Sequence, residues 1–254
     1  MKPVALITGA RRGIGLGIAK ALAARGYDLA ITDIVRDEAS DSAVQVLEAL
    51  GATALFLEAD IADIAEHDET VQSVMDRFGC IDCLVNNAGI GSKVRGDFLD
   101  LKPANYNAIF DINLRGTVFF TQSVLRAMLA HYRDRVARTI INITSVSAEM
   151  TSPERLDYCM TKAALAAFTQ GLALRLADQG ISVFDVRPGI IRSDMTSVVA
   201  AKYDKRIADG LVPMKRWGEP DDLGRIVAAL ASGDFNFATG SIINADGALS
   251  ISRL

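Results

Sequence analysis

The stretch from Val4 to Asp33 constrains the fold more than any other part of the chain. Val4–Thr8 is a short apolar run, as expected of a strand covered on both faces. A glycine-rich turn follows, Thr8-Gly9-Ala10-Arg11-Arg12-Gly13-Ile14-Gly15. Ile14, Ile18, Ala21 and Leu22 then recur at helical spacing until Gly26. Asp28–Asp33 reads as a second strand. A strand, glycine turn, helix and strand in this order form a parallel crossover unit, because a parallel partner can be reached only by a long connection.

The alternation continues along the chain. Helices are expected around residues 38–50, 66–78, 103–132 and 157–178, with two shorter ones between 195 and 231. Strands are expected at 54–57, 82–86, 139–144, 181–186 and about 241–244. Strands separated by helices imply an α/β fold: a single Rossmann-type, doubly wound parallel sheet of about seven strands with helices on both faces. No Pro/Ser-rich linker, repeat or low-complexity tract interrupts residues 1–254, so one nucleotide-binding domain is expected.

Composition excludes several classes. The formal net charge of −4 gives no global basic field for nucleic acid. No apolar run reaches the roughly 20 residues of a membrane span, and the N-terminus does not read as a signal peptide. Three cysteines make no disulfide framework and suit a reducing cytoplasm. Cys80 and Cys83 form a Cys-x-x-Cys, but Cys83 opens an apolar strand. His67 and His131 are isolated, so no metal site is expected.

The glycine turn suits a pyrophosphate. Gly9, Gly13 and Gly15 let the backbone turn tightly and approach the ligand, and the helix after Gly13 offers free N–H groups and a positive dipole end. The spacing Gly-x-x-x-Gly-x-Gly is weak alone; its place after the first strand strengthens it. Asp33 ends the second strand, where a carboxylate can accept from both adenosine ribose hydroxyls and would repel a 2′-phosphate. That favours NAD(H). Arg12 and Arg36 keep NADP(H) open, since either could pair with such a phosphate.

The second informative stretch is Ser145 to Lys162. Tyr158 and Lys162 stand four residues apart, on one face if helical. An ammonium beside a phenol favours the phenolate and would bring its pKa toward the working range for acid/base chemistry. Ser145, at the end of a strand, could hold a carbonyl or alcohol oxygen. On spacing alone the pair reads as an ordinary helix surface; its company changes that.

Taken together, these motifs resemble the short-chain dehydrogenase/reductase family, from the first strand to the C-terminal segment. Thr8-Gly9-x-x-x-Gly13-x-Gly15 is similar to its nucleotide turn. Asp60 is similar to its adenine-contacting aspartate, and Asn86-Asn87-Ala88-Gly89 to the motif at the end of its fourth strand. Asn113, Ser145, Tyr158 and Lys162 match its catalytic tetrad. The resemblance implies hydride transfer between a nicotinamide cofactor and a ketone or secondary alcohol. Ser145 would orient the substrate oxygen and Tyr158 would carry the proton. Lys162 would bind the nicotinamide ribose and lower the Tyr158 pKa, and Asn113 would hold a relay water. Implied cofactor contacts are Gly9, Arg11, Arg12, Gly13, Ile14, Gly15, Asp33, Ile34, Asp60, Ile61, Asn87, Ala88, Gly89, Tyr158, Lys162, Pro188, Gly189, Ile191 and Ser193. Two departures stand out: Ser193 replaces the frequent threonine, and Asp246-Gly247-Ala248 replaces Asp-Gly-Gly.

The nearest subgroup is the proteins labelled 3-oxoacyl-acyl-carrier-protein reductases. An acyl carrier protein is therefore a possible partner, with Arg133, Arg135 and Arg175 as candidate contacts. A sugar, polyol or other small secondary alcohol is a close rival. Substrate-pocket candidates are Gly91, Ser92, Val94, Arg95, Val146, Ser147, Met150, Ser152, Arg155 and Met195. Arg95 and Arg155 could recognise a carboxylate or phosphate, or simply be solvated. Residues 193–212 would form a mobile substrate lid. The resemblance also implies a homotetramer packed through the two long helices. A nucleotide-sensing protein without turnover is the alternative from another class, since a fold does not confer activity.

Overall fold

The computed structural model describes residues 2–253 apart from Tyr132, Asp134, Arg135, Val198 and Val199; the side chain of Lys202 also lies outside the description. Seven strands form one sheet: β1 (Val4–Thr8), β2 (Asp28–Asp33), β3 (Ala54–Glu58), β4 (Cys83–Asn86), β5 (Arg138–Ile143), β6 (Ile181–Pro188) and β7 (Ile242–Ala245). Their spatial order is β3-β2-β1-β4-β5-β6-β7, and every pair is parallel. The helices are α1 (Gly13–Ala24), α2 (Glu38–Ala49), α3 (His67–Phe78), α4 (Pro103–Phe110), α5 (Thr117–Ala130), α6 (Leu156–Leu176), α7 (Asp194–Ser197), α8 (Ala200–Ala208) and α9 (Pro220–Leu230).

Side-chain alternation explains why the central strands read as unbroken apolar runs. Ala5 and Ile7 of β1 enter a core with Ile18, Leu22 and Leu223, beneath α1 and α9. Leu6, between them, enters the opposite core with Val74, Phe120 and Leu176, beneath α3, α5 and α6. Both faces are dry, so neither can carry the polar half of a two-residue period.

One expectation is corrected. The helix anticipated over 103–132 is interrupted by a π-helical turn, Asp111–Gly116, which divides α4 from α5. Gly116 passes so close to the Ile61 carbonyl that a Cβ would lie 2.1 Å from its oxygen. The wider turn therefore brings backbone against backbone where a side chain has no room, and it carries Asn113 into the interior.

The chain runs from β1 outward through β2 to β3, then crosses to β4 on the other side of β1. This reversal opens a crevice at the C-terminal strand ends, where ligands bind in open parallel sheets. Hydrogen bonds pin the crevice floor. The Thr8 hydroxyl accepts from the Asn87 and Ala88 amides at 3.1 and 3.0 Å. The Asn87 side chain donates to the Thr8 and Gly9 carbonyls at 2.9 and 2.8 Å. Deeper in the sheet, Asn86 donates to Thr121 and Asn142, and Asn142 donates to Thr169, each at 2.8 Å. That buried polar chain ties β4 and β5 to α5 and α6.

The C-terminal departure has a visible consequence. Gly247 and Ala248 both have positive φ, +63° and +71°. Ala248 thus takes a left-handed conformation that glycine would adopt more cheaply. The Asp246 carboxylate holds it there by accepting from the Ala248 and Ser250 amides, both at 2.9 Å. Cys80, Cys83 and Cys159 are free and buried. Burial first, then the Asp82 carboxylate, pushes the Cys80 thiol up to about 11 and the Cys83 thiol up to about 12, far from a reactive pair. Among the described residues, no helix is long and apolar enough to cross a membrane.

Candidate active site

A cavity of about 680 Å³ fills the crevice. One end is made by the turn after β1, the ends of β2 and β3, and the loop after β4. Gly9, Gly13, Ile14, Gly15, Asp33, Ile34, Asp60, Ile61, Asn87, Ala88 and Gly89 all line it. A Cβ on Gly15 would stand 2.4 Å from the Gly9 carbonyl oxygen and 2.7 Å from Ala10 Cα, so the turn closes only around glycine. Gly13 sits at φ +57° with open space beyond it. Arg12, the N-cap of α1, makes no side-chain capping hydrogen bond, so the first-turn N–H groups are left facing the cavity. These features fit a dinucleotide whose pyrophosphate lies on the glycine turn.

Charge at this end is already matched. The Asp33 carboxylate accepts from the Ile34 amide at 2.9 Å and the Arg11 amide at 3.4 Å. Arg11 turns away from the cavity to pair with Asp37 and lies 3.9 Å from Asp33. Arg12 pairs with Asp194 of α7 at 2.8 Å, and Arg36 pairs with Asp41 at 3.7 Å. The two arginines considered for a 2′-phosphate are thus each paired with a carboxylate, and Asp33 stands fixed at the end of β2.

At the centre lie Ser145, Tyr158 and Lys162. Ser145 follows β5 and caps the short turn Val146–Ala148 by accepting from the Ser147 amide at 3.0 Å. Tyr158 and Lys162 project from the first turns of α6, with the Lys162 nitrogen 5.7 Å from the centre of the tyrosine ring. Lys162 is buried and donates to the Ile143 carbonyl at 3.0 Å. Burial lowers its pKa to about 8, against the opposing pull of Asp185.

The expectation that Lys162 draws the Tyr158 pKa down is corrected. Burial dominates and raises the phenol above its ordinary value. The opposing influences are a hydrogen bond with Ser145 and the charges of Arg155 and Arg95. Lys162, itself desolvated and aimed at a backbone carbonyl, is not among them.

Asn113 does not line the cavity. Its side chain is buried and spans the Ile90 backbone, accepting from the amide at 2.8 Å and donating to the carbonyl at 2.9 Å. In this arrangement it braces the loop after β4, next to Gly89 and Thr161. Pro188, Gly189, Ile191 and Ser193 do reach the cavity. A Cβ on Gly189 would stand 2.7 Å from Asp246, so this turn too accepts only glycine.

The other end is made from loops. Gly91, Arg95, Val146, Ser147, Met150, Ser152, Arg155 and Met195 line it, whereas Ser92 and Val94 do not. Ser92 instead donates to buried Asp157 at 2.6 Å. Met195 of α7 approaches Gly91, where a Cβ would stand 3.6 Å from its sulfur. Sequence reasoning missed Tyr203 and Arg206 of α8 and also Leu249, because distant segments carry no local signal of meeting at one cavity. It also missed a buried strap behind the site: Asp185 accepts from Thr144 and Arg187, and Arg187 reaches Glu149 in the loop after β5. Of the basic residues considered for a carrier protein, Arg133 is committed to Asp82, Arg135 lies outside the described residues, and Arg175 is exposed on α6.

Comparison with known proteins gives a consistent result. The model of the family described as Enoyl-(Acyl carrier protein) reductase matches residues 9–250. A 3-oxoacyl-(acyl-carrier-protein) reductase of Staphylococcus epidermidis is 35% identical, over 98% of this chain and 99% of its own length. A galactitol 2-dehydrogenase of Agrobacterium fabrum is 37% identical over 96% of each chain. The crystal structure of a 3-oxoacyl-(acyl-carrier protein) reductase from Brucella melitensis, in complex with NAD, is 62% identical with a TM-score of 0.98, covering 100% of this chain and 99% of that one.

Proposed function

Because the chain belongs to the short-chain dehydrogenase/reductase family, whose members are NAD(P)-dependent oxidoreductases acting on carbonyl and alcohol groups, we propose that it uses NAD(H) and Tyr158 to interconvert a ketone and a secondary alcohol, with a 3-oxoacyl thioester as first substrate candidate. The observation that carries this reading is the meeting of Ser145, Tyr158 and Lys162 at one cavity, with Lys162 buried and its nitrogen 5.7 Å from the centre of the Tyr158 ring. The nicotinamide, when bound, supplies or accepts the hydride. Ser145 and Tyr158 would share the substrate oxygen. Tyr158 would give its phenol proton to the substrate oxygen in reduction and, as the phenolate, take the alcohol proton in oxidation. Lys162 and Asn87 hold the nicotinamide side, the glycine turn holds the pyrophosphate, and Asp33 holds the adenosine ribose. Asp33, fixed by backbone amides, is the ground for NAD(H) over NADP(H).

A polyol or sugar dehydrogenase is the second reading, favoured by the galactitol 2-dehydrogenase named above. An acyl carrier protein would be the partner under the first reading. A homotetramer is supported by apolar side chains left exposed on α5 and α6, among them Phe119, Leu129, Met160 and Leu174. Three free buried cysteines suit a reducing cytoplasm.

The test is steady-state turnover with NADH and NADPH against 3-oxoacyl thioesters, ketoses and simple ketones, followed by the absorbance of reduced nicotinamide. Turnover is expected, with NADH ahead by about tenfold or more in kcat/KM. Nucleotide binding without turnover of any carbonyl or alcohol would make the protein a sensor instead.

A further inference from the structure

The substrate half of the cavity is charged differently from the rest of the molecule. Arg95, Arg155 and Arg206 line it, and among the described residues none of the three has a carboxylate partner. Asp194, the acidic residue at this end, is taken by Arg12. Asp33 and Asp60 lie at the nucleotide end. The three guanidiniums therefore face one space with no counter-charge in it.

The segments that carry two of them are joined. The Gly96 amide donates to the Glu154 carbonyl at 3.3 Å, joining the loop that carries Arg95 to the turn that carries Arg155. Ser92 donates to Asp157 at 2.6 Å, tying the same loop to the start of α6. Arg155 is half-buried and its guanidinium lies 5.5 Å from the centre of the Tyr158 ring. Arg95, which is exposed, lines the same cavity as Tyr158 and Arg155. Arg206 comes from α8, on the lid side. Like charges gathered around a partly desolvated space repel one another, and an anion placed among them offsets that cost with charge-assisted hydrogen bonds.

We propose that the substrate carries a compact anionic group, a carboxylate or phosphate a few atoms from its carbonyl or alcohol, which Arg95 and Arg155 bind and Arg206 covers. This rests on the oxidoreductase reading alone and names the substrate class of the same site; a 3-oxoacyl thioester, which carries no anion a few atoms from its carbonyl, does not satisfy it. Such a group fixes which carbonyl of a polyfunctional molecule meets Tyr158, since the anion is anchored on one side of the ring and the reacting oxygen at Ser145.

The experiment measures binding and turnover separately on the protein saturated with NADH. Acetoacetate, 4-oxopentanoate and 5-oxohexanoate are each compared with their methyl esters, and dihydroxyacetone phosphate with dihydroxyacetone. At least one anionic member is expected to bind about tenfold or more tightly than its neutral partner, and the carboxylate and phosphate arms tell the two sources apart. In Arg155→Gln and in Arg95→Gln that ratio is expected to fall toward one, with unfolding midpoints used to show that each variant is folded. Equal binding within every pair, or no binding by any anionic member, overturns the inference. Turnover of a neutral carbonyl alongside equal binding removes the inference and leaves the reading standing. Anion binding without turnover of any carbonyl removes the reading instead.

Discussion

Around the nucleotide end of the cleft the guanidiniums meet carboxylates: Arg12, which lines it, pairs with Asp194, while Arg11 and Arg36, outside the lining, pair with Asp37 and Asp41. In the substrate half Arg95, Arg155 and Arg206 meet none among the described residues. The first half is built from strand ends and backbone, closed by glycines that admit no Cβ. The second is built from loops and the helical segment after β6, and its character lies in side chains. One half is finished before its ligand arrives, while the other is balanced only with the ligand present. Rigid construction suits a cofactor common to many relatives, and unbalanced charge suits selection of one substrate.

Three substitutions bear on this contrast, in descending size of effect. Tyr158→Phe removes the proton carrier at the meeting point of the halves. It is expected to lower kcat by about 10²- to 10⁴-fold while NADH fluorescence titrations show little change in affinity. Near-normal rates would mean that the phenol is not the acid/base.

Gly15→Ala attacks the finished half. Alanine for glycine inside a helix ordinarily stabilises by up to about 1 kcal/mol. Here the new Cβ meets the Gly9 carbonyl at 2.4 Å, so a loss of about 1–3 kcal/mol in denaturant unfolding and weaker NADH binding are expected. A more stable variant with unchanged affinity would show the turn to be slack.

Lys162→Met tests the buried cation between the halves through pH. The folded pKa of Lys162 is lowered from 10.5 to about 8. Between those values the unfolded chain keeps a proton that the folded chain has released. Stability contributed by this group therefore rises with pH across that window, by on the order of 1 kcal/mol per pH unit. The slope should disappear from the variant, read as the difference between two denaturation series on the nucleotide-free protein. Parallel series would mean that Lys162 keeps its ordinary pKa in the fold.

What was readable in advance follows the same division. Asp33 was legible because a carboxylate ending the second strand has one place to go in a parallel crossover unit. Gly9, Gly13 and Gly15 were legible because a turn that tight leaves no choice of residue. Asn113 was found by motif, yet its hydrogen bonds to Ile90 depend on a π-helical turn that no periodicity announced. The pKa of Tyr158 was misjudged for a related reason. Spacing shows that a lysine is near, but only packing shows how far both groups are removed from water, and desolvation outweighs the neighbouring charge.

The sequence by itself determined the parallel seven-stranded sheet, the glycine turn at its switch point and the identities of Ser145, Tyr158 and Lys162. Local periodicity and residue-specific backbone limits suffice for the sheet and the turn; the three side chains were picked out by the resemblance to the family. The tertiary structure alone decided which arginines find carboxylates and which are left facing the cavity. Charge pairing depends on through-space distances between segments as remote as Arg12 and Asp194, or Arg95 and Arg206, and those distances exist only after the chain has closed around its core.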